Sequence, residues 1–350
     1  MNKILTRRQQ EIIDILDNYP NSAISFILNK LQIQVSVATL NRDLAKLVKD
    51  DLLNKKGKGR SIKYIISDGY KLLASINSEN YFNLEADYRD GNKVFNQEIF
   101  DLLKAQNIFT KIESLYLEKI QKGYLDNIKH ISPTLYKKEL ERLTIELSWK
   151  SSQIEGNTYS LLETELLLKE KIKAVNKTDE ETQMLLNHKY ALEYVLKNKN
   201  IVNPIKVSVI EDIHTILIRG LGVSRNIRKH NVGITGTSYT PPDNEFQILE
   251  YLQKMCILIN EKNNHFEKAL IAICMISYIQ PFEDGNKRTA RIIGNALLMS
   301  NDLCLLSYRS VNPLDYKKAM LLFYEQNNIN AFKELFIKQY MFAVLNYFKV

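Results

Sequence analysis

The stretch that decides the fold is IQPFEDGNKRTAR, from Ile279 to Arg291. Pro281 and the polar run behind it end an apolar stretch, and a helix pattern resumes after them. This order places three cations, Lys287, Arg288 and Arg291, in the first turns of the new helix. A helix N-terminus carries a positive dipole end and unpaired N–H groups, so cations are unfavourable there unless an anion binds. The stretch therefore predicts a phosphate site.

The spacing within this stretch adds detail to the prediction. Arg288 and Arg291 are three residues apart and share a helix face, so their guanidinium groups can converge on one phosphate chain. Gly285 permits close backbone approach to a ligand, and Asp284 offers a hard oxygen that suits Mg²⁺. The alternative is a capped polar loop followed by a surface helix whose arginines pair with nearby acids.

The segment from Pro281 to Arg291 resembles the signature of the Fic (filamentation induced by cAMP) and Doc family, His-Pro-Phe-x-Asp/Glu-Gly-Asn-Gly/Lys-Arg-x-x-Arg. The resemblance implies a mainly α protein whose all-helical Fic domain carries a short β-hairpin flap. It implies ATP with Mg²⁺, and transfer of AMP to a Ser, Thr or Tyr hydroxyl of a target protein. Asp284 would hold the metal. Phosphate binding would fall to Gly285, Asn286, Lys287, Arg288 and Arg291.

Two positions depart from the family pattern. Gln280 stands where the family has the histidine that takes the proton of the attacking hydroxyl, and an amide has no basic group for that task. Lys287 is typical of the Doc-like phosphotransferase branch, so the group that moves could be AMP or a phosphate. A further possibility is that Gln280 stands in place of a natural histidine. The sequence does not choose among these readings.

A second segment, SSQIEGN, resembles the inhibitory motif of the same family, Ser/Thr-x-x-x-Glu-Gly/Asn. Ser151 and Glu155 are four residues apart on one face, and Gly156 or Asn157 can end the helix in a left-handed conformation. The resemblance implies that Glu155 pairs with Arg291 and keeps the γ-phosphate from binding productively. The alternative is a capped surface helix with a solvated glutamate.

A third segment, VGITGTSYTPP, is rich in Gly, Thr and β-branched residues, which predicts a short hairpin over 232–242. It resembles the family's flap, which would hold a target by strand addition. The predicted target-binding residues are Val232, Gly233, Ile234, Thr235, Gly236 and Tyr239. An ordinary connecting hairpin is the alternative. Of the five histidines, His230 is the one that we expect near the site.

The N-terminal part of the chain is basic, with twelve Lys/Arg against seven Asp/Glu from Met1 to Tyr70. The pattern predicts a helix that begins at Thr6, a second that begins at Ser22 and a third that begins at Ser36. Two strands, 52–55 and 62–66, would follow around a basic turn. This order resembles a winged helix-turn-helix. It implies DNA contacts from Thr39, Asn41 and Arg42 in the third helix and from Lys56, Lys58 and Arg60 in the wing. The alternative is a protein-contact domain with solvated lysines.

The chain of 350 residues is long enough for more than one domain. We predict a winged helix-turn-helix over 1–70, a helical linker region over 71–140 that could assist a homodimer, and a Fic domain over 141–350 with its inhibitory helix near 145–157. No apolar run is long enough to span a membrane. Charges interrupt the N-terminal apolar residues, which argues against a signal peptide and favours the cytoplasm. Three cysteines, Cys256, Cys274 and Cys304, are predicted to be buried thiols.

Two functions follow from these patterns. The first is an autoinhibited protein adenylyltransferase with a DNA-binding domain. The second is a catalytically silent domain that binds ATP or ADP as a signal within a transcriptional regulator. Position 280 separates the two, because nucleotide binding needs the arginines whereas transfer also needs a proton acceptor.

Overall fold

A computed structural model of the chain describes residues 5–349, except for the side chain of Arg60. Helices take up 62% and strands 3% of the chain, so the mainly α prediction is confirmed. The three predicted thiols are buried and free. No helix among the described residues combines the length and apolar character that a membrane span requires.

The N-terminal unit consists of three helices, α1 (Arg7–Asn18), α2 (Ile24–Lys30) and α3 (Val37–Lys49), and one antiparallel sheet. The strands β1 (Ser22–Ala23), β2 (Leu53–Lys56) and β3 (Lys63–Ile66) lie in the order β1-β3-β2. The predicted caps are confirmed, because the side chain of Thr6 accepts from the N–H of Gln9 and that of Ser36 accepts from Thr39. A hydrophobic cluster of its own fills this unit, with Ile12, Leu40 and Leu44 fully buried.

The predicted start of the second helix at Ser22 is wrong. Ser22 pairs with Tyr64 in the sheet, and its hydroxyl donates to the carbonyl of Tyr19. The pairing keeps this backbone extended, so α2 begins two residues later, at Ile24.

Short elements follow the N-terminal unit: α4 (Asp68–Leu73), α5 (Ser78–Phe82), a single 3₁₀ turn (Ala86–Tyr88) and α6 (Ile99–Ala105). The large C-terminal core begins with Leu72 of α4, and Ile99, Leu103 and Leu117 are completely buried in it. Much of the region 71–140 is helical, and residues from Leu72 onward contribute to this core. The domain limits at 70 and 140 stay predictions.

The C-terminal part is a stack of helices: α7 (Lys111–His130), α8 (Pro133–Ile154), α9 (Leu161–Glu170), α10 (Asp179–Lys197), α11 (Val207–Leu217), α12 (Glu245–Glu261), α13 (His265–Ile279), α14 (Asn286–Met299), α15 (Pro313–Gln326) and α16 (Asn330–Asn346). Helix α13 is apolar on nearly all sides and lies at the centre, as expected of a helix that other helices surround. It packs along α14, and the loop between them carries the motif.

The predicted β-hairpin over 232–242 does not form. A turn at Thr235 and Gly236 separates two arms without regular secondary structure, and within the described residues no ladder joins the arms. The second arm pairs elsewhere, because Thr240 makes a single parallel bridge with Val94. Its hydrogen bonds go to a distant segment, so this flap is a loop that other parts of the chain hold.

Candidate functional site

The motif loop is tight and internally bonded. Gln280 ends α13 in a left-handed conformation with φ at 49°. The amide of Asn286 accepts from the N–H of Phe282 at 2.9 Å and donates to the side-chain oxygen of Gln280 at 2.9 Å. Asn286 therefore stabilises the loop. Its side-chain amide is hydrogen-bonded within the loop and is less suited to bind a phosphate.

The N-terminus of α14 is open to an anion. Gly285 precedes the helix with φ at 80°, a conformation that glycine adopts readily, and no side chain caps this end in the described chain. The first N–H groups of a helix have no partner within it. With its positive dipole end, this terminus is suited to a phosphate.

The two motif arginines are buried beside this terminus. Arg288 donates to Asp284 (Nη2 to Oδ2, 2.8 Å), and Arg291 donates to the hydroxyl of Ser151 (2.8 Å) and to Glu155 (Nη2 to Oε1, 2.7 Å). One guanidinium nitrogen of each arginine, Nη1, is buried without a hydrogen-bond partner in the part of the chain that is described. These unpaired donors fit oxyanions of a phosphate chain.

Glu155 lies at the end of α8, where Gly156, one of the two residues predicted for the left-handed cap, takes that conformation with φ at 99°. Its second carboxylate oxygen is 3.7 Å from Nζ of Lys287. Burial alone would raise the pKa of Glu155, but the charges of Arg291 and Lys287 outweigh burial, and the pKa lies below its ordinary value. The carboxylate is therefore ionised at neutral pH and is the anion that the arginine holds.

A cavity of about 520 Å³ joins these parts. Its wall includes the motif loop, Glu155, the residues 232–236 of the flap, and Tyr316 and Tyr324 of α15. The structure thus brings the three sequence motifs together around one space. The volume is in the range of small-molecule sites.

Tyr239 is the exception among the predicted flap residues. Its side chain is 2% exposed, and its hydroxyl donates to the carbonyl of Tyr278 at 2.9 Å. The ring also stacks on the ring of Tyr278, with centroids 4.8 Å apart. The prediction of a target contact is wrong for this side chain, because it anchors the flap to α13.

The site has a limited set of groups for a metal ion. No cluster of three His, Cys, Asp or Glu side chains suited to a metal occurs among the described residues. The side chain of Asp284 is 64% exposed and lines the same cavity as Arg288. A single carboxylate beside a phosphate site fits Mg²⁺, which usually keeps several waters and takes phosphate oxygens as further ligands.

Comparisons with known proteins agree with this geometry. The model of the Fic/DOC family matches residues 204–298, the stretch that ends within α14. Residues 204–298 thus form a Fic/DOC domain. Among solved structures, Fic-1 from C. elegans has a TM-score of 0.60 at 19% identity, covering 67% of this chain and 72% of that chain. A Fic domain containing signaling protein from Bacteroides thetaiotaomicron has a TM-score of 0.57 at 18% identity, covering 65% and 94%.

Curated relatives have more similar sequences over shorter stretches. Protein adenylyltransferase Fic of Nematostella vectensis is 29% identical over 169 residues, which are 47% of this chain and 39% of the relative. A probable protein adenylyltransferase of Aquifex aeolicus is 32% identical over 101 residues, which are 28% of this chain and 31% of the relative. The chain therefore spans well under half of the length of the curated relatives that it matches.

Residues outside the motifs also shape the Fic/DOC site. Arg228, which is 1% exposed, donates to the carbonyl of Gln280 at 2.6 Å and to that of Pro242, so it joins the motif loop to the base of the flap. His214, rather than the predicted His230, contacts the motif loop. Its Nε2 lies 2.9 Å from the carbonyl oxygen of Asp284, and its ring stacks on Phe282. The sequence held no signal for either residue, because both act across long separations.

His188 is a third residue that the sequence did not indicate. It lies on α10, is completely buried, and has no hydrogen-bond partner on either ring nitrogen within the described chain. Burial, together with the charges of Arg291 and Arg288, lowers the pKa of His188 to about 3. The ring is therefore neutral in the folded protein at every pH near neutrality.

Stability is expected to fall as the pH is lowered below about 6.5. The unfolded chain binds a proton at His188 near pH 6.5, whereas the folded chain does not until about pH 3. The unfolded state holds more protons between these values, so the free energy of unfolding decreases by about 1.4 kcal/mol per pH unit on account of this group. Urea denaturation at pH 7, 6 and 5 measures this decrease in the free energy of unfolding. The variant His188→Leu should show a smaller decrease, and an equal decrease in both proteins would contradict the assignment.

Proposed function

We propose that the Fic/DOC domain is a protein adenylyltransferase that moves AMP from ATP to a Ser, Thr or Tyr hydroxyl of a target protein, and that Glu155 keeps it inactive. The observation that carries the proposal is the ion pair between Arg291 and Glu155 at 2.7 Å, beside the open N-terminus of α14. The names of the curated relatives support the same activity.

The phosphates of ATP would bind where the unpaired donors converge. Gly285 and Lys287 would contribute the helix terminus and a point charge, and Arg288 and Arg291 would bind the β- and γ-phosphates through their free guanidinium nitrogens. Asp284 would hold Mg²⁺, which neutralises phosphate charge when it is bound. The nucleotide in turn can lie in the cavity between the loop and the flap.

Glu155 and the γ-phosphate compete for one arginine. The carboxylate already takes the Nη2 donor of Arg291, and Ser151 takes the Nε donor at 2.8 Å. A phosphate placed there would meet an ionised carboxylate at close range, which is unfavourable at neutral pH. With Glu155 in place, ATP could therefore bind only in a shifted position. This is a physical basis for inhibition of AMP transfer.

Binding of ATP is expected to strengthen when Glu155 is replaced by glycine. A charge-assisted hydrogen bond contributes about 1.5–3 kcal/mol, so the freed Arg291 should tighten binding about tenfold or more. Calorimetry with Mg²⁺ and ATP measures this on the wild-type protein and on Glu155→Gly. The control Glu170→Gly removes an exposed carboxylate at the end of α9. Absence of binding in both the wild type and Glu155→Gly would contradict a nucleotide site.

A second candidate function is favoured by the hydrogen bonds of the Gln280 side chain. Its side-chain nitrogen donates to the carbonyl of Ser277 at 2.6 Å, and its side-chain oxygen accepts from Asn286. Both polar atoms are thus engaged in the loop, and neither is a base. In this alternative the domain binds ATP or ADP without transferring AMP, and the nucleotide controls the rest of the chain.

We further propose that the N-terminal unit is a winged helix-turn-helix that binds DNA. On α3, Asn41 and Arg42 are exposed and Thr39 is half-buried, and in the turn between β2 and β3 Lys56 and Lys58 are exposed. The side chain of Arg60 lies outside the described residues. A helix with polar exposed residues and an adjacent basic turn supports major-groove and phosphate contacts. The salt dependence of DNA binding tests this proposal.

A further inference from the structure

One more buried arginine, Arg89, contacts the flap. It lies in the segment 77–96 that connects the N-terminal unit with α6, and its side chain is 6% exposed. Its Nη2 nitrogen is 2.9 Å from Oε1 of Glu325 at the end of α15, and the same nitrogen donates to the carbonyl of Gly236 at the turn of the flap. This single guanidinium therefore joins the connecting segment, α15 and the flap.

The connecting segment is fixed on the end of α15. The hydroxyl of Tyr81 donates to the second carboxylate oxygen of Glu325 at 2.6 Å, and the N–H of Asn92 donates to the carbonyl of Glu325 at 2.6 Å. Gly91 lies so close to this turn that a Cβ atom there would meet the same carbonyl oxygen at 2.8 Å. This segment belongs to the region 71–140, for which a helical linker was predicted, and here it packs against the end of α15.

The same segment also holds the second arm of the flap. Nζ of Lys93 donates to the hydroxyl of Ser238 at 2.7 Å, and the N–H of Thr240 donates to the carbonyl of Lys93 at 2.8 Å. The backbone edge of this arm is therefore occupied by the chain itself. The residues 232–235 face the cavity instead, which leaves the first arm and the turn for a target.

We propose that Arg89 is a positioning residue for the flap, so that the segment leading from the N-terminal unit determines where a target hydroxyl is presented. The inference rests on the proposed function of the flap. Arg89 does not line the cavity, so it acts through Gly236 and not on the nucleotide. A lysine could keep the charge opposite Glu325, but its side chain is shorter, so its ammonium would lie further from Glu325 and Gly236 than Nη2 does.

Hydrogen–deuterium exchange on the full chain tests this inference without a target protein. The double variant Arg89→Met with Glu325→Gln removes both buried charges and keeps the volume. Exchange in a peptide covering 232–242 should become about tenfold faster, while a peptide covering 280–291 and the affinity for ATP should stay as in the wild type. The matched control is Arg142→Met with Glu139→Gln, an ion pair of 2.6 Å that holds α8 and the C-terminal residues.

Single variants separate positioning from a general structural role. Glu325→Gln keeps an acceptor for Arg89 and leaves the bond to Gly236, so the flap should remain protected; Arg89→Met alone should lose that protection. If Arg89→Met does not fold, Arg89→Lys gives the same comparison. Unchanged flap exchange in a folded Arg89 variant would overturn the inference even if ATP binds. Faster flap exchange in a protein that binds no ATP would instead refute the proposed function and leave the Arg89 contact standing.

Discussion

Replacing Gln280 by histidine in the Glu155→Gly protein is expected to raise the rate of AMP transfer by about 10²–10⁴-fold, the usual contribution of a general base. Gln280 is 8% exposed and lines the cavity at the start of the motif loop. A neutral imidazole there has a basic ring nitrogen that could accept the proton of the attacking hydroxyl. The initial rate of label transfer from α-³²P-ATP, at saturating ATP, measures the gain.

The matched control for this gain is Gln280→Ala in the same Glu155→Gly background. It also removes the bonds of Gln280 to Ser277 and Asn286 but supplies no base. We expect the alanine variant to transfer no faster than Glu155→Gly alone. An equal gain in the alanine and histidine variants would show that release of the loop, and not a base, limits transfer.

Affinity for DNA is expected to fall about 10²- to 10³-fold between 50 mM and 200 mM salt, as for a domain that contacts several phosphates. The physical reason is release of the counterions that Lys56, Lys58 and the exposed face of α3 displace. Fluorescence anisotropy with duplexes of the region upstream of its gene, at four salt concentrations, gives the slope.

The variant Lys56→Ala with Lys58→Ala tests whether the turn between β2 and β3 contacts the phosphates. The slope of log affinity against log salt should become shallower by about 2, because each phosphate contact contributes nearly one unit. Lys119→Ala with Lys122→Ala, two exposed lysines of α7, should leave the slope unchanged. Binding that is absent, or insensitive to salt, would favour a protein-contact domain.

The sequence was informative where the determinants are local. Pro281, Gly285 and the cations of the first turns of α14 are close together in the sequence, so helix end, turn and helix start could be predicted together. The caps at Thr6 and Ser36 depend on residues three positions away, and both predictions were right. The pairing of Glu155 with Arg291 was accessible only through the family resemblance, because 136 positions separate the two residues.

Predictions from the sequence were wrong where long-range contacts determine the structure. The segment 232–242 has the composition of a hairpin, but its second arm bonds to Lys93 and Val94 and its turn bonds to Arg89. The local sequence pattern does not indicate such distant partners. For the same reason the sequence did not indicate Arg228, nor that Tyr239 points into the core.

We propose that this domain keeps a phosphate site but lacks a proton acceptor. Label transfer from α-³²P-ATP should be compared among four proteins: wild type, Gln280→His, Glu155→Gly, and the two changes combined. We expect strong labelling only from the combined variant, because Glu155 blocks Arg291 in the second protein and no base is present in the third. Labelling by Glu155→Gly that equals labelling by the combined variant would contradict the claim.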